Sequence, residues 1–154
     1  MEISRTTLQA QPYLFVEGEC PYEGEKIAEA MGAAFGQVFG FVGEAGIAPQ
    51  SAPITVYLAM DPSILRFRSG VMVSAEDAKK ATGEVQADNL PAGDAMMTTH
   101  IGPYSNMNQS HGALWKHMEA EGIEGAMPVW EVYVDDPEDT DEAELRTEIY
   151  RAIA

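Results

Sequence analysis

Two stretches of ten residues decide the fold. Residues 53–62 have the sequence PITVYLAMDP, and residues 128–137 have the sequence PVWEVYVDDP. Each begins with proline, continues through β-branched and aromatic residues that favour a strand, and ends with Asp-Pro, which favours a turn. A segment that recurs along a chain indicates an internal duplication. We therefore align the two stretches proline to proline, as equivalent strands of a repeated unit.

The residues around these stretches repeat as well. A short strand-like run enters a proline turn in each half, ECPY at 19–22 and IGPY at 101–104. Apolar residues then recur at spacings of three and four, which predicts an amphipathic helix in each half. Gly46 and Gly122 follow these helices, where glycine tolerates the left-handed backbone of a helix end. Closing strands are predicted over 67–73 and 145–153.

The sequence therefore predicts the α+β class and one domain over residues 1–154. A unit of strand, helix, strand and strand is used twice, over about 12–73 and about 95–153, and a polar connector with a short helical turn spans 74–91. Such units form an antiparallel sheet that carries its helices on one face and leaves the other face open. We expect a central ligand groove where the two units meet, because clefts between similar units are common small-molecule sites.

The charge of the chain limits its partners. It has 25 acidic residues against 9 basic ones, a formal net charge of -16. Phosphate-rich partners would be repelled, so we expect no direct contact with nucleic acid.

The first residues lack the pattern of an export signal, and no run of 18 apolar residues is present. These patterns predict a soluble, cytoplasmic protein without a membrane partner.

The residue types that bind metals or act as nucleophiles give little signal. Cys20 is the single cysteine and lies among glutamates, which disfavour a thiolate. No two of the three histidines are four residues apart, the spacing that places two ligands on one helical face, and His111 is predicted to be a packing residue. The acidic run after residue 134 lacks the central glycine of a calcium loop, so we interpret it as a solvated, mobile loop. We expect no metal and no other cofactor.

Glu131 stands out within the second of the two predicted strands. The period of two places Glu131 on one face with Val129 and Tyr133, and it places Trp130 on the other. A lone carboxylate among apolar neighbours needs a hydrogen-bond donor, water or a positively charged ligand. Trp130, and Trp115 on the second helix, are predicted to pack between helix and sheet.

Three motifs together resemble the GyrI-like small-molecule-binding family: WEVYxxDP at 130–137, HIGPY at 100–104 and RTEIY at 146–150. That family includes the effector-binding domains of some AraC-type and MerR-type transcription activators. The resemblance extends from about residue 12 to residue 153. In contrast to the regulator members, this chain starts almost at its first predicted strand, so we expect no preceding DNA-binding domain.

The resemblance implies a groove between two pseudosymmetric halves, lined by aromatic residues, with a central acidic residue that faces cationic lipophilic ligands. By motif position the acidic residue is Glu131, and Tyr133 and Tyr150 are its aromatic neighbours. Tyr104 and Met97 are further candidate ligand contacts, because aromatic rings supply π-faces and methionine gives an adaptable wall.

Three functions follow from these features. The first is a stand-alone protein that binds or sequesters a cationic or amphipathic aromatic compound, with a homodimer or a transcription regulator as candidate protein partners. The alternative is a hydrolase of strained-ring genotoxins, an activity found in some members of the family, in which Glu131 acts as a general base with Tyr133 or Tyr150 as a donor. A gyrase-inhibitor-like protein-interaction module is the third.

Overall fold

The computed structural model describes residues 2–59 and 61–154. In the described part the elements are, in chain order, β1 (Ile3–Leu8), β2 (Gln11–Cys20), α1 (Gly24–Ala45), β3 (Pro53–Tyr57), β4 (Leu65–Met72), α2 (Ala75–Ala78), β5 (Gln86–Leu90), β6 (Gly93–Ile101), α3 (Met107–Ala120), β7 (Gly125–Tyr133) and β8 (Arg146–Ile153). Short 3₁₀ turns occupy Tyr104–Asn106 and Glu142–Glu144. The α+β class with an antiparallel sheet is confirmed.

The strand order is symmetric. The sheet runs β1-β6-β8-β7-β3-β4-β2-β5, with every neighbouring pair antiparallel. The two halves meet between β7 and β3, and the leading strand of each half, β1 or β5, pairs with the other half. The sequence patterns did not predict β1 and β5. Both are polar, largely exposed edge strands, so they lack the apolar alternation that marks a half-buried strand.

The sheet curls strongly. Residues 9–10 join β1 to β2, and residues 91–92 join β5 to β6, although each joined pair lies six places apart in the strand order. Six flat spacings would separate the strands by about 29 Å. A two-residue connection spans at most about 11 Å, so the two edges must approach each other. The face away from the helices is therefore enclosed, and it is not left open as the sequence suggested.

Two separate sets of residues fill the two faces. The enclosed inner face buries an apolar cluster that includes Tyr13, Phe15, Ile54, Val56 and Trp130. The outer face packs against the helices, with α1 over β2 and β4 and α3 over β6. Its buried residues form two clusters, one around Leu14, Val38 and Val71 and one around Met96, Leu114 and Ile149.

Along the helices and the strands that follow them, the two halves correspond with an offset of 76 residues. Gly46 and Gly122 follow α1 and α3, both with φ 68°. In each half the next residue, Ile47 or Ile123, donates its N–H to the carbonyl five residues earlier, at 3.0 and 2.8 Å. The same offset continues into the strands and matches Thr55 with Glu131. These two residues also face each other directly in the β3–β7 ladder, so the pseudo-twofold axis passes through this pair.

The proline-to-proline alignment of the two strands is therefore wrong by one residue. It would match Val56 with Glu131, yet Val56 lies opposite Trp130 on the inner face, and Glu131 lies on the outer face. β7 has a register shift between Gly125 and Val129, so Pro128 does not correspond to Pro53. Sequence likeness alone did not reveal this shift.

Candidate functional site

Glu131 lies on the outer face of the sheet at the junction of the two halves and is only 6% exposed. The hydroxyl of Tyr133 donates to Glu131 Oε1 at 2.7 Å, and the hydroxyl of Tyr57 lies 3.3 Å from the same oxygen. His111 Nε2 on α3 lies 2.6 Å from the other oxygen, Oε2. The donors that a buried carboxylate requires are thus supplied by both halves of the chain.

The pseudo-twofold axis explains this arrangement. Tyr57 and Tyr133 are 76 residues apart, the offset between the halves, and each follows its axial residue by two positions along a strand. Both hydroxyls therefore converge on the axis, where Glu131 lies. Thr55, the residue that matches Glu131, is fully buried and shares a hydrogen bond with Ser69 at 3.1 Å.

The two tyrosines act as permanent donors. Burial, followed by the nearby charge of Glu131, raises the pKa of Tyr57 and of Tyr133 well above the ordinary value for tyrosine. A phenol with a raised pKa keeps its proton across the neutral range. Both hydroxyls therefore remain able to donate to Glu131 Oε1 at neutral pH.

Aromatic rings from three elements surround this polar cluster. Phe35 of α1 meets Tyr133 edge to face at 6.1 Å between ring centroids, and Tyr104 of the 3₁₀ turn meets the same ring at 5.6 Å. Phe39 stacks on Phe35 at 6.2 Å. Tyr104 is 40% exposed, so this aromatic wall reaches the surface at the 3₁₀ turn.

A surface cavity adjoins the exposed end of the wall. It has a volume of about 310 Å³ and is lined by Tyr104, Ser105, Pro137, Glu142 and Leu145. A larger depression of about 410 Å³ lies elsewhere, next to the cross-strand pairs Glu17–Arg68 and Glu19–Arg66. The smaller cavity borders the aromatic wall, because its lining residue Tyr104 contacts Tyr133.

The α3 side of the site continues with Trp115. Its ring meets the His111 ring at 5.5 Å, and the guanidinium of Arg151 lies over the indole at 4.1 Å. Trp115 also packs against both outer-face clusters, which confirms its predicted place between helix and sheet. Since Arg151 covers one face of the indole, Trp115 is a supporting residue of the site.

The structure brings together three of the five predicted ligand contacts, Glu131, Tyr133 and Tyr104. Tyr150 and Met97 lie opposite each other in the β6–β8 ladder, and Tyr150 stacks on Trp130 on the inner face, at 5.2 Å with an angle of 6°. The expectation that Tyr150 is an aromatic neighbour of Glu131 is therefore wrong, and Met97, the other candidate ligand contact, lies on the inner face with Tyr150. Ile149 is the β8 residue opposite Glu131, and the alternation of the strand then turns Tyr150 away.

Trp130 requires a correction for the same reason. It is buried inside the curled sheet, beneath its stacked partner Tyr150, and does not pack under a helix. Tyr150 donates to Glu148 at 3.0 Å, and burial together with the charge of Glu148 raises the pKa of Tyr150 to about 12. The inner face thus has its own carboxylate–tyrosine pair, on the opposite side of the sheet from Glu131.

Sequence reasoning missed His111, Tyr57 and Phe35. His111 was predicted to be a packing residue, but its imidazole contacts Glu131. One signal was available: His111 and Trp115 lie four residues apart, on the helix stripe that faces the sheet. Their positions relative to Glu131 depend on the packing of α3, which a helical period does not specify.

The remaining candidate chemical groups have structural roles. The buried His100 contacts Ser110 Oγ at 2.6 Å and the Pro103 carbonyl at 2.9 Å. Cys20 is also buried, and burial raises the pKa of its thiol.

In residues 2–59 and 61–154, no three His, Cys, Asp or Glu side chains group in a way that would hold a metal ion. No helix in the same ranges is long and apolar enough to cross a membrane.

Comparison with known families identifies the domain. The sequence model of the GyrI-like small molecule binding domain matches residues 1–154. The chain belongs to the GyrI-like family. No significant match to the sequence was found among curated proteins.

Solved structures share this GyrI-like fold at low sequence identity. The C-terminal domain of EcmrR has a TM-score of 0.80 at 18% identity, with 99% of this chain and 97% of that chain covered. A hydrolase from Listeria innocua has a TM-score of 0.67 at 16% identity, with 99% of this chain and 92% of the hydrolase chain covered. SAV2435 bound to tetraphenylphosphonium has a TM-score of 0.64 at 14% identity, with 100% of this chain and 94% of the SAV2435 chain covered.

Proposed function

We propose that this GyrI-like domain binds a cationic or amphipathic aromatic compound between α1 and α3, with Glu131 as the counter-charge. The observation that carries the proposal is a carboxylate that is 6% exposed, lies at the junction of the two halves and has aromatic rings beside it. In a partly dry site, attraction between a carboxylate and a cation is much stronger than in water.

The aromatic wall fits the same class of ligand. Phe35, Tyr104 and Tyr133 present rings of one connected cluster, and such rings attract both flat apolar groups and cations. In the present arrangement these rings pack on each other. The wall must therefore open to admit a ligand, and the cavity beside the half-exposed Tyr104 is the proposed entrance.

Two further observations support the proposal. The chain has a formal net charge of -16, and a negative field of this kind raises the local concentration of cations and the rate of their encounter. SAV2435, which shares the fold, was solved with tetraphenylphosphonium bound. That ion combines a positive charge with four phenyl rings, which are the two features that the groove would recognise.

The test uses two probes of similar shape, methyltriphenylphosphonium, which is cationic, and triphenylphosphine oxide, which is neutral. Glu131→Gln keeps the size of the side chain and removes its charge. We expect it to weaken binding of the cation by about 1–4 kcal/mol, the Coulomb energy of two unit charges about 4 Å apart between bulk water and a site near a protein surface, and to weaken binding of the neutral probe much less. Isothermal titration, with unfolding followed in parallel, measures both effects.

Glu148→Gln is the matched control. It removes the same charge from the neighbouring strand, but Glu148 lies on the inner face, paired with Tyr150. If the Glu131 variant and the Glu148 variant bind the cation equally well, Glu131 is not the counter-charge and the proposal fails.

One observation favours hydrolysis as a second candidate function. The contact of 2.6 Å between Glu131 and His111 orients an imidazole at the edge of the site, and a carboxylate that orients a histidine is a common way to position a general base. In a hydrolase, Glu131→Gln would lower turnover far more than binding, because a general base acts in the transition state. Mass spectrometry of a strained-ring electrophile incubated with each protein would detect the hydrated product.

A further inference from the structure

His111 occupies the position on Glu131 that a ligand cation would need. Tyr133 and Tyr57 hold Oε1, and the His111 imidazole holds Oε2 at 2.6 Å. An ionised carboxylate only accepts hydrogen bonds, so opposite an ionised Glu131 the Nε2 of His111 is the donor. Both carboxylate oxygens therefore carry donors of the chain itself, and the imidazole covers the Oε2 side of the carboxylate.

His111 is the donor that can be displaced. Its side chain is 21% exposed, whereas that of Glu131 is 7% exposed; of the two tyrosines, Tyr57 is buried and Tyr133 is half-buried. The two tyrosines belong to the central strands β3 and β7, whose backbones are fixed in the sheet. His111 lies on α3, one turn from the start of the helix. Displacement of the imidazole therefore leaves the central strands and their two tyrosine donors in place.

The internal duplication gives an independent reason to single out His111. With the offset of 76 residues, His111 matches Phe35 and Glu131 matches Thr55. The second half therefore has ionisable residues at two positions where the first half has neutral ones, and these two side chains contact each other. Because the fold accepts phenylalanine at the equivalent helix position, packing alone does not require an imidazole there.

We propose that His111 determines the selectivity of the groove: it is the internal partner of Glu131 in this structure, and a ligand cation takes its place beside Oε2. This inference rests on the proposed function, because it requires Glu131 to be the counter-charge of a bound cation. Lipophilic monocations bind by replacing the imidazole. Neutral aromatic compounds bind against the rings and leave the His111–Glu131 contact in place.

The test is His111→Phe, which gives the second half the residue that the first half has at position 35. Removal of the internal competitor should tighten binding of methyltriphenylphosphonium about tenfold, which corresponds to 1.4 kcal/mol. Binding of triphenylphosphine oxide should change less than about threefold on the same scale. His111→Gln retains an N–H donor and should stay close to the native affinity for the cation. His117→Phe, on the same helix, is the control and should alter neither affinity.

A double variant separates the inference from the proposed function. If His111 acts through Glu131, His111→Phe should no longer change the cation-to-neutral affinity ratio once Glu131→Gln is present. If the folded His111→Phe protein binds the cation as tightly as the native protein does, or less tightly, the inference is overturned. The proposed function still stands in that case, provided that Glu131→Gln weakens binding of the cation. If Glu131→Gln leaves cation binding unchanged, the proposed function fails, and the inference fails with it.

The imidazole nitrogens provide a direct readout. In ¹⁵N-histidine-labelled protein, the His111 signals should shift when methyltriphenylphosphonium saturates the site, because Nε2 loses its carboxylate partner. They should shift far less with triphenylphosphine oxide. His111 signals that stay unchanged under saturation with the cation would contradict displacement and overturn the inference.

Discussion

The two halves of this domain share the same order of strands and helix, but they carry different side chains at their junction. On the pseudo-twofold axis, the first half has Thr55, hydrogen-bonded to Ser69, and the second half has Glu131, hydrogen-bonded to Tyr57 and Tyr133. Their positions in the β3–β7 ladder are equivalent. The duplication thus supplies the scaffold and the two converging tyrosines, and a single carboxylate on the axis makes the junction a candidate cation site.

Among these changes, Thr55→Glu should have the largest effect on stability. It would place a second carboxylate directly opposite Glu131 at a position that is 0% exposed. We expect a loss of about 3–5 kcal/mol in the free energy of unfolding, the cost of an uncompensated buried charge. Urea denaturation measures it. Thr55→Val, which loses only the bond to Ser69, should cost about 1 kcal/mol, and similar losses for both variants would show that the junction tolerates two charges.

Tyr133→Phe and Tyr57→Phe each remove one of the two hydroxyls that donate to Glu131, so they compare the contributions of these two bonds. The two hydroxyls are related by the pseudo-twofold axis, but the distance to Glu131 Oε1 is 2.7 Å for Tyr133 and 3.3 Å for Tyr57. The shorter bond should matter more, so we expect Tyr133→Phe to destabilise the fold by about 1.5–3 kcal/mol and Tyr57→Phe by about 1 kcal/mol or less. Thermal and urea unfolding of both proteins test this order, and the reverse order would contradict it.

Alkaline pH should produce a gradual effect. Burial raises the pKa of Tyr57 and Tyr133 in the folded state, whereas unfolded tyrosines ionise near pH 10, roughly. Above that pH the folded protein binds more protons than the unfolded chain, so the free energy of unfolding should fall as the pH rises. Either Tyr→Phe change should make this decline less steep, and Tyr22→Phe, at a half-exposed site, should leave it as it is.

Local patterns predicted part of the fold and part of the site. The period of two placed Glu131 and Tyr133 on one strand face and Trp130 on the other, because side-chain alternation is a property of the strand itself. The helices and their terminal glycines followed from spacing and from backbone conformation. These features depend on neighbouring residues only.

Features that depend on long-range register were not predicted. Tyr150 lies on the inner face because Ile149 is the residue opposite Glu131, and one step along β8 reverses the face. The proline alignment failed at the register shift in β7. His111 reaches Glu131 through the packing of a helix from one part of the chain on a strand from another. The polar edge strands β1 and β5 gave no apolar signal at all.

The central claim is that a lipophilic cation binds on the helix-covered face, beside Glu131. Intermolecular nuclear Overhauser effects between the phenyl protons of tetraphenylphosphonium and assigned aromatic side chains test it most directly. The account predicts contacts from the ligand to Phe35, Tyr104 and Tyr133. Contacts to Trp130 and Tyr150, or to the residues around Arg68, would place the cation on the inner face of the sheet and contradict the account.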